Sequence, residues 1–296
     1  MKILLLGKNG QVGWELQRSL APLGELIALG SKSTIYCGDL TNLEGLVQTI
    51  RTIAPDVIVN AAAYTAVDQA EREPEAAFIV NTTAVELLAN EAKRLDAWLV
   101  HYSTDYVFDG QGSAAWLETD ATAPLSVYGE SKLAGELAIA ASGCKHLIFR
   151  TSWVYAARGK NFAKTILNLA QQWETLKVID EQVGAPTGAD LLADVTAHAI
   201  RTALHQPEVS GLYHLVASGY VSWHGYANFV IDFARKKGMN IKVAAKDIEP
   251  VAASEFPTLA ARPLNSRLGT HKLQNTFNLV LPHWQLGVER MLQETL

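Results

Sequence analysis

A doubly wound α/β fold with a smaller, loop-rich C-terminal lobe is what these 296 residues predict, on three observations. Short apolar runs alternate with stretches of helical periodicity through the first half of the chain. The runs are apolar at consecutive positions, as in strands of a parallel sheet covered by helices on both faces. A glycine triplet, Gly7, Gly10 and Gly13, closes the first run and opens the first helix.

In chain order, Ile3–Leu6 reads as the first strand, and Gln11–Leu23 as a helix with Val12, Leu16, Leu20 and Leu23 on one face. Leu26–Leu29 is a strand, Leu43–Ile53 a helix and Val57–Val59 a strand. A long helical region covers Glu75–Leu95. Trp98–Tyr102 is a strand, Ser126–Ala141 a helix and Leu147–Phe149 a strand. Right-handed crossovers turn that series into a doubly wound sheet. Residues 1–155 are expected to form this domain, and 156–296 mainly the second lobe, with some segments returning to the sheet. Helices are expected there at Phe162–Trp173, Leu191–Leu204, Gly225–Lys237 and Val288–Leu292, interrupted by loops around Pro186 and at Phe256–Pro263. No linker separates the halves, so a shared crevice is the expected ligand site.

Composition narrows the function. With 25 Lys+Arg against 30 Asp+Glu the net charge is −5, which argues against nucleic acid or an anionic membrane as main partner. Two cysteines without a CxxC pattern exclude a disulfide scaffold and a cysteine zinc site. No apolar run approaches the length of a membrane span, and none at the N-terminus suits a signal peptide. A cytoplasmic protein is expected.

The spacing Gly7-x-x-Gly10-x-x-Gly13 fits a dinucleotide turn. One glycine allows the tight turn, one lets the backbone approach a pyrophosphate, and one lets helix and strand pack closely. The helix N-terminus then offers free N–H groups to phosphate. The chain has no G-x-x-x-x-G-K-[ST], no G-x-S-x-G and no H-E-x-x-H. Tyr128 and Lys132 share one helix face at i,i+4 spacing. A nearby cation favours phenolate and would lower the Tyr128 pKa, making it a better proton donor near neutral pH. The pair is common by chance; Ser103-Thr104-Asp105, at the carboxyl end of a strand, gives it weight. Thr104 can hydrogen-bond a carbonyl oxygen while Tyr128 protonates it, or it can merely cap a turn. His101 is expected to pack rather than react.

These segments, with Pro55–Thr65, Val67-Asp68, Ser103–Gly110, Arg150–Tyr155, Gly184–Thr187, Arg262-Pro263 and Asn265-Ser266, resemble the extended short-chain dehydrogenase/reductase superfamily and, within it, the dTDP-4-dehydrorhamnose reductase family. The resemblance runs nearly end to end. It implies a Rossmann-like domain, a substrate lobe, and hydride transfer from a nicotinamide to the C4 ketone of dTDP-4-dehydro-L-rhamnose in dTDP-rhamnose biosynthesis. It implies Tyr128 as proton donor, Lys132 on the nicotinamide ribose, Thr104 on the ketone and Asp105 on the sugar. It places Gly10, Gln11 and Val12 at the pyrophosphate and Asp39 and Leu40 at the adenine. Ala62, Ala63 and Thr65 line the cofactor path, with Tyr102 near the nicotinamide. Trp153 packs on the sugar, and Pro186 and Arg262 face the diphosphate.

NADPH is expected, with NADH also accepted. Gly30 stands where an acid would repel a 2′-phosphate, and Ser31, Lys32 and Ser33 can bind one. Matching positions in some bacterial relatives make Glu15, Asp190 and Glu294 candidates for Mg²⁺ at a homodimer interface, against the alternative of three ordinary surface carboxylates. Other nucleotide-sugar reductases or epimerases of the superfamily, and an NADP-binding regulatory subunit, are the competing readings. A 4,6-dehydratase is disfavoured, because Asp105 is followed by Tyr106 where those enzymes carry a second carboxylate.

Overall fold

The computed structural model describes residues 1–296. Six parallel strands form the central sheet: β1 (Lys2–Leu6), β2 (Glu25–Leu29), β3 (Val57–Asn60), β4 (Trp98–Thr104), β5 (Lys145–Thr151) and β6 (Gly211–His214). Their order is β6-β5-β4-β3-β1-β2. The chain therefore leaves β1 toward β2 and returns to its other side at β3. The crevice at that switch point, at the strands' carboxyl ends, is where ligands bind in such sheets.

Side-chain alternation explains why both faces are covered. Ile3 and Leu5 of β1 enter one core with Val57, Val59, Val100 and Phe149; Leu4 and Leu6 enter the opposite core with Ile58 and Leu99. On the first face lie α1 (Gln11–Leu20) and a helix from the second half, Ala189–His205. On the other lie α2 (Leu43–Ile53), α3 (Ala84–Leu95) and α4 (Val127–Ser142). Asn42 caps α2 and Ser126 caps α4, each accepting from a backbone N–H three residues on.

Three features add to the sequence expectation. The region Glu75–Leu95 is helical as expected, with a π-helical turn at Ile79–Thr83 between Pro74–Phe78 and α3. There the Asn81 side chain bonds both backbone groups of Tyr64 and the hydroxyl of Ser131, which locks the turn onto α4. Such turns often mark functional sites. β6 joins the sheet from residue 211 onward, although its Gly-Leu-Tyr-His sequence carries too short an apolar run to be read as a strand. Leu176–Ile179 and Ile248–Val251 pair as a separate parallel ribbon in the second lobe. That lobe has its own cores, in which Phe162–Gln172, Trp223–Lys236 and Trp284–Thr295 pack through Tyr226, Val230, Trp284 and Val288.

Candidate active site

A cavity of about 730 Å³ runs along the carboxyl edge of the sheet between the two lobes. Gly7, Gly10, Gln11 and Val12 line one end with Asp39, Leu40, Ala62, Ala63 and Thr65; Tyr102, Thr104, Asp105, Tyr128, Lys132, Trp153 and Arg262 line the other. The sequence-predicted residues are thus brought together with two exceptions. Gly13 is buried behind the turn: a Cβ there would overlap the Gly7 carbonyl oxygen, so its part is close helix–strand packing. Pro186 is buried outside the cavity lining, between the short strands Val183–Gly184, paired with Val221–Ser222, and Thr187–Gly188, paired with Val154–Tyr155.

The glycine end is built from main chain. Gly7 has φ +89°, and a Cβ would stand 2.7 Å from the Ala62 nitrogen. Gly10 occupies the N-cap of α1 with no side-chain cap, leaving the first N–H groups of that helix facing the cavity. This cradle suits a pyrophosphate. Farther along, Gly30, Ser31 and Asn9 line the wall. Ser33 lies outside the lining, and its hydroxyl accepts from the Gly30 N–H, which closes the turn. Lys32 is exposed and outside the lining. Asn9 is a contributor that sequence reasoning missed.

The other end is built from side chains. The Thr104 hydroxyl donates to Asp105 Oδ1 (3.1 Å) and accepts from the Tyr106 N–H, so it caps the short turn Asp105–Val107 while facing the cavity; the cap and the site role coincide. Asp105 is buried, its Oδ2 has no partner, and burial pushes its carboxyl up to about 6. Tyr106 meets the Tyr128 ring edge to face at 5.5 Å.

Tyr128 departs from expectation. Burial pushes its phenol up to about 12, with a hydrogen bond to Thr104 opposing. Lys132 does not lower it. The lysine is turned toward β4, where Nζ donates to the Tyr102 carbonyl (2.6 Å) and contacts His101 Nε2 (3.0 Å). Burial brings Lys132 down to about 8, against the opposing charge of Glu136. The Tyr102 phenol points away from the cavity mouth and bonds Thr196 at 2.6 Å, so Tyr102 serves the site through its backbone and ring.

Trp153 stands just past β5 with φ +49° and stacks on Trp223 at 3.5 Å between centroids, while the Trp223 indole N–H donates to Gln182. Trp223, Gln182 and Ser266 complete this wall; Ser266 lies in a segment that carries the family resemblance, whereas Trp223 and Gln182, from other parts of the second lobe, were not singled out as site residues. Arg262, at the mouth, pairs with Asp68 at 2.8 Å.

The geometry of this single chain gives the Mg²⁺ expectation no support. Glu15, Asp190 and Glu294 do line one small second cavity, but Arg18 pairs with Glu15, and Arg290 contacts both Asp190 (3.8 Å) and Glu294 (3.3 Å). No cluster of three His, Cys, Asp or Glu side chains is placed to hold a metal.

Parallel strand order, a glycine turn at the switch point and a Thr–Tyr–Lys set on the same edge define the class as the short-chain dehydrogenase/reductase fold. A family model described as "RmlD substrate binding domain" matches residues 1–296. A dTDP-4-dehydrorhamnose reductase from Escherichia coli K12 is 62% identical over 294 residues, covering 99% of this chain and 98% of that protein. The crystal structure of a dTDP-4-dehydrorhamnose reductase from Bacillus anthracis in complex with NADP superposes with a TM-score of 0.87 at 34% identity, covering 99% of each chain. A dTDP-glucose 4,6-dehydratase from Streptomyces venezuelae, at 19% identity and TM-score 0.81, shares the fold. The chain belongs to the dTDP-4-dehydrorhamnose reductase family.

Proposed function

We propose that this chain reduces dTDP-4-dehydro-L-rhamnose to dTDP-L-rhamnose, preferring NADPH and accepting NADH. The observation that carries the reading is the convergence of Thr104, Tyr128 and Lys132 at one end of a cavity whose other end is a main-chain cradle for a pyrophosphate. A bound nicotinamide supplies the hydride, which adds to C4. The remaining work falls to the chain. Tyr128 keeps its proton at neutral pH, because burial disfavours the phenolate. It passes that proton to the alkoxide oxygen as negative charge develops there, so one hydride and one proton complete the alcohol. The Thr104 hydroxyl turns its single hydrogen from Asp105 Oδ1 to the same oxygen, and that bond strengthens as charge builds. Trp153 and Trp223 give the sugar an apolar wall, and Arg262 at the mouth suits a diphosphate.

The preference for NADPH is supported by Gly30 and Ser31 in the wall, with no carboxylate at Gly30 to repel a 2′-phosphate, and by the NADP bound to the Bacillus anthracis relative. The single residue Asp105, followed by Tyr106, supports reduction over dehydration, which needs a second acid. No helix is long and apolar enough to cross a membrane. Purified protein should oxidise NADPH only when the keto-sugar is added. An epimerase would instead turn over with its cofactor retained and no net oxidation, and a regulatory subunit would show neither; either outcome rejects the proposal.

A further inference from the structure

Behind Lys132 lies a chain of buried polar groups that the reaction above does not use. Asn60, at the end of β3, His101 in the middle of β4 and Lys132 on α4 are all almost completely buried. The Ala62 backbone N–H, which can only donate, points to Asn60 Oδ1 at 3.2 Å. That contact settles the orientation of the Asn60 amide, so Nδ2, a donor, faces His101 Nδ1 at 3.2 Å. Nδ1 must then present its lone pair. A neutral imidazole carries one hydrogen, which is left on Nε2, 3.0 Å from Lys132 Nζ.

An ammonium has three donors and no acceptor. Facing an Nε2–H, it leaves two donors in contact in a dry interior. An uncharged amine faces the same hydrogen with its lone pair and still donates to the Tyr102 carbonyl at 2.6 Å. We infer that His101, locked by Asn60 in its Nε2–H tautomer, is the positioning residue of Lys132: its hydrogen completes the bonding of the uncharged amine, and protonating Lys132 requires the His101–Asn60 contact to rearrange.

Other charges around Lys132 do not remove this constraint. Glu136, one turn along α4, favours the ammonium but is held in a buried bidentate pair by Arg150 of β5. Tyr128, one turn before, and Asp105, at the end of β4, face the same cavity. The imidazole itself stays neutral, held well below its ordinary value first by burial and then by the neighbouring Lys132. The direction for Lys132, down to about 8, agrees with the geometry. Lys132 thus sits between two demands: the buried network suits its neutral form, whereas a cation suits the tuning of Tyr128.

Two measurements on the full chain test this. Long-range ¹⁵N–¹H NMR of histidine-labelled protein reads the tautomer directly, with His101→Gln assigning the resonance. Nε2–H is expected; Nδ1–H in the unsubstituted protein overturns the inference. The second follows the ¹⁵N resonance of Lys132 Nζ with pH in Asn60→Asp. A carboxylate accepts from Nδ1–H, frees the Nε2 lone pair for an ammonium and should raise the Lys132 pKa by about one unit or more. The alkaline limb of the kcat/KM profile should move up with it. A merely structural Asn60 would lower activity without moving either titration, and an unmoved Lys132 in folded Asn60→Asp likewise overturns the inference. Should Asn60→Asp fail to fold, the tautomer alone decides. Only the kinetic arm rests on the proposed reaction; the tautomer is read without substrate, so the two can fail separately.

Discussion

The two ends of the cavity are made of different material. At the Gly7 end the working groups are backbone N–H groups and missing Cβ atoms, drawn from one strand–helix turn and the neighbouring residues after β3. At the Tyr128 end they are side chains from β4, α4, the turn after β5 and three separate segments of the second lobe. A main-chain site is specified locally, so it depends on what is absent: a single added carbon at Gly7 or Gly13 has nowhere to go. A side-chain site depends on many distant segments arriving together, and its groups are tuned by burial rather than by local spacing. Substitutions at the first end should therefore act through packing and binding, and those at the second through chemistry and ionisation.

Tyr128→Phe carries the largest expected effect. The ring and its edge contact with Tyr106 remain, but the proton donor is gone, so kcat should fall by about 10²–10⁴-fold, roughly 3–5 kcal/mol of barrier. Cofactor affinity, read by fluorescence titration, should hardly change. Near-normal turnover would break the division between the two ends.

Asp105→Asn sharpens the same division through stability. The Asp105 carboxyl rises from 3.8 when unfolded to about 6 when folded. A raised folded value means stability that is full below the unfolded pKa and lost as pH rises toward about 6. Above that the loss levels off at roughly 3 kcal/mol. Denaturant unfolding should thus find Asp105→Asn gaining on the parent between about pH 4 and pH 6, while its turnover drops. A stability difference that is flat with pH would show that burial does not raise the Asp105 carboxyl above its unfolded value.

At the glycine end, Gly13→Ala should cost about 1–3 kcal/mol of stability, because its methyl meets backbone rather than a yielding side chain. The pH dependence of turnover should stay that of the parent. A neutral thermal shift would mean that α1 can move away from β1 at no cost.

The smallest effect is expected for Gly30→Asp. The new Cβ meets the end of the Asn9 side chain, which can swing aside, and the carboxylate then opposes a 2′-phosphate. The ratio of kcat/KM for NADPH over NADH should fall about tenfold, or 1.4 kcal/mol. A parent enzyme that already favours NADH by tenfold would refute the reading of this wall.

Much of the molecule was legible in the sequence because its signals are local. The helix Leu43–Ile53 has the predicted bounds, and the first five strands lie where apolar runs end near a turn residue. The glycine triplet, and the Tyr128–Lys132 pair placed after Ser103-Thr104-Asp105, marked both ends of the cavity. β6 escaped because its strand character comes from pairing with β5, not from its own composition. The meeting of Trp223, Gln182 and Ser266 in one wall escaped because their spacing in sequence bears no relation to their contact in space.

By itself, then, the sequence determined the alternating architecture, the glycine turn and the candidate side chains for the reaction, since each depends on residues within a few turns of one another. Only the tertiary structure decided their ionisation and their aim. Lys132 and Tyr128 are neighbours on one helix face, yet burial holds the phenol high, and β4 draws the lysine to the Tyr102 carbonyl and His101. Desolvation and hydrogen-bond partnership are properties of the packed interior, and i,i+4 spacing carries neither.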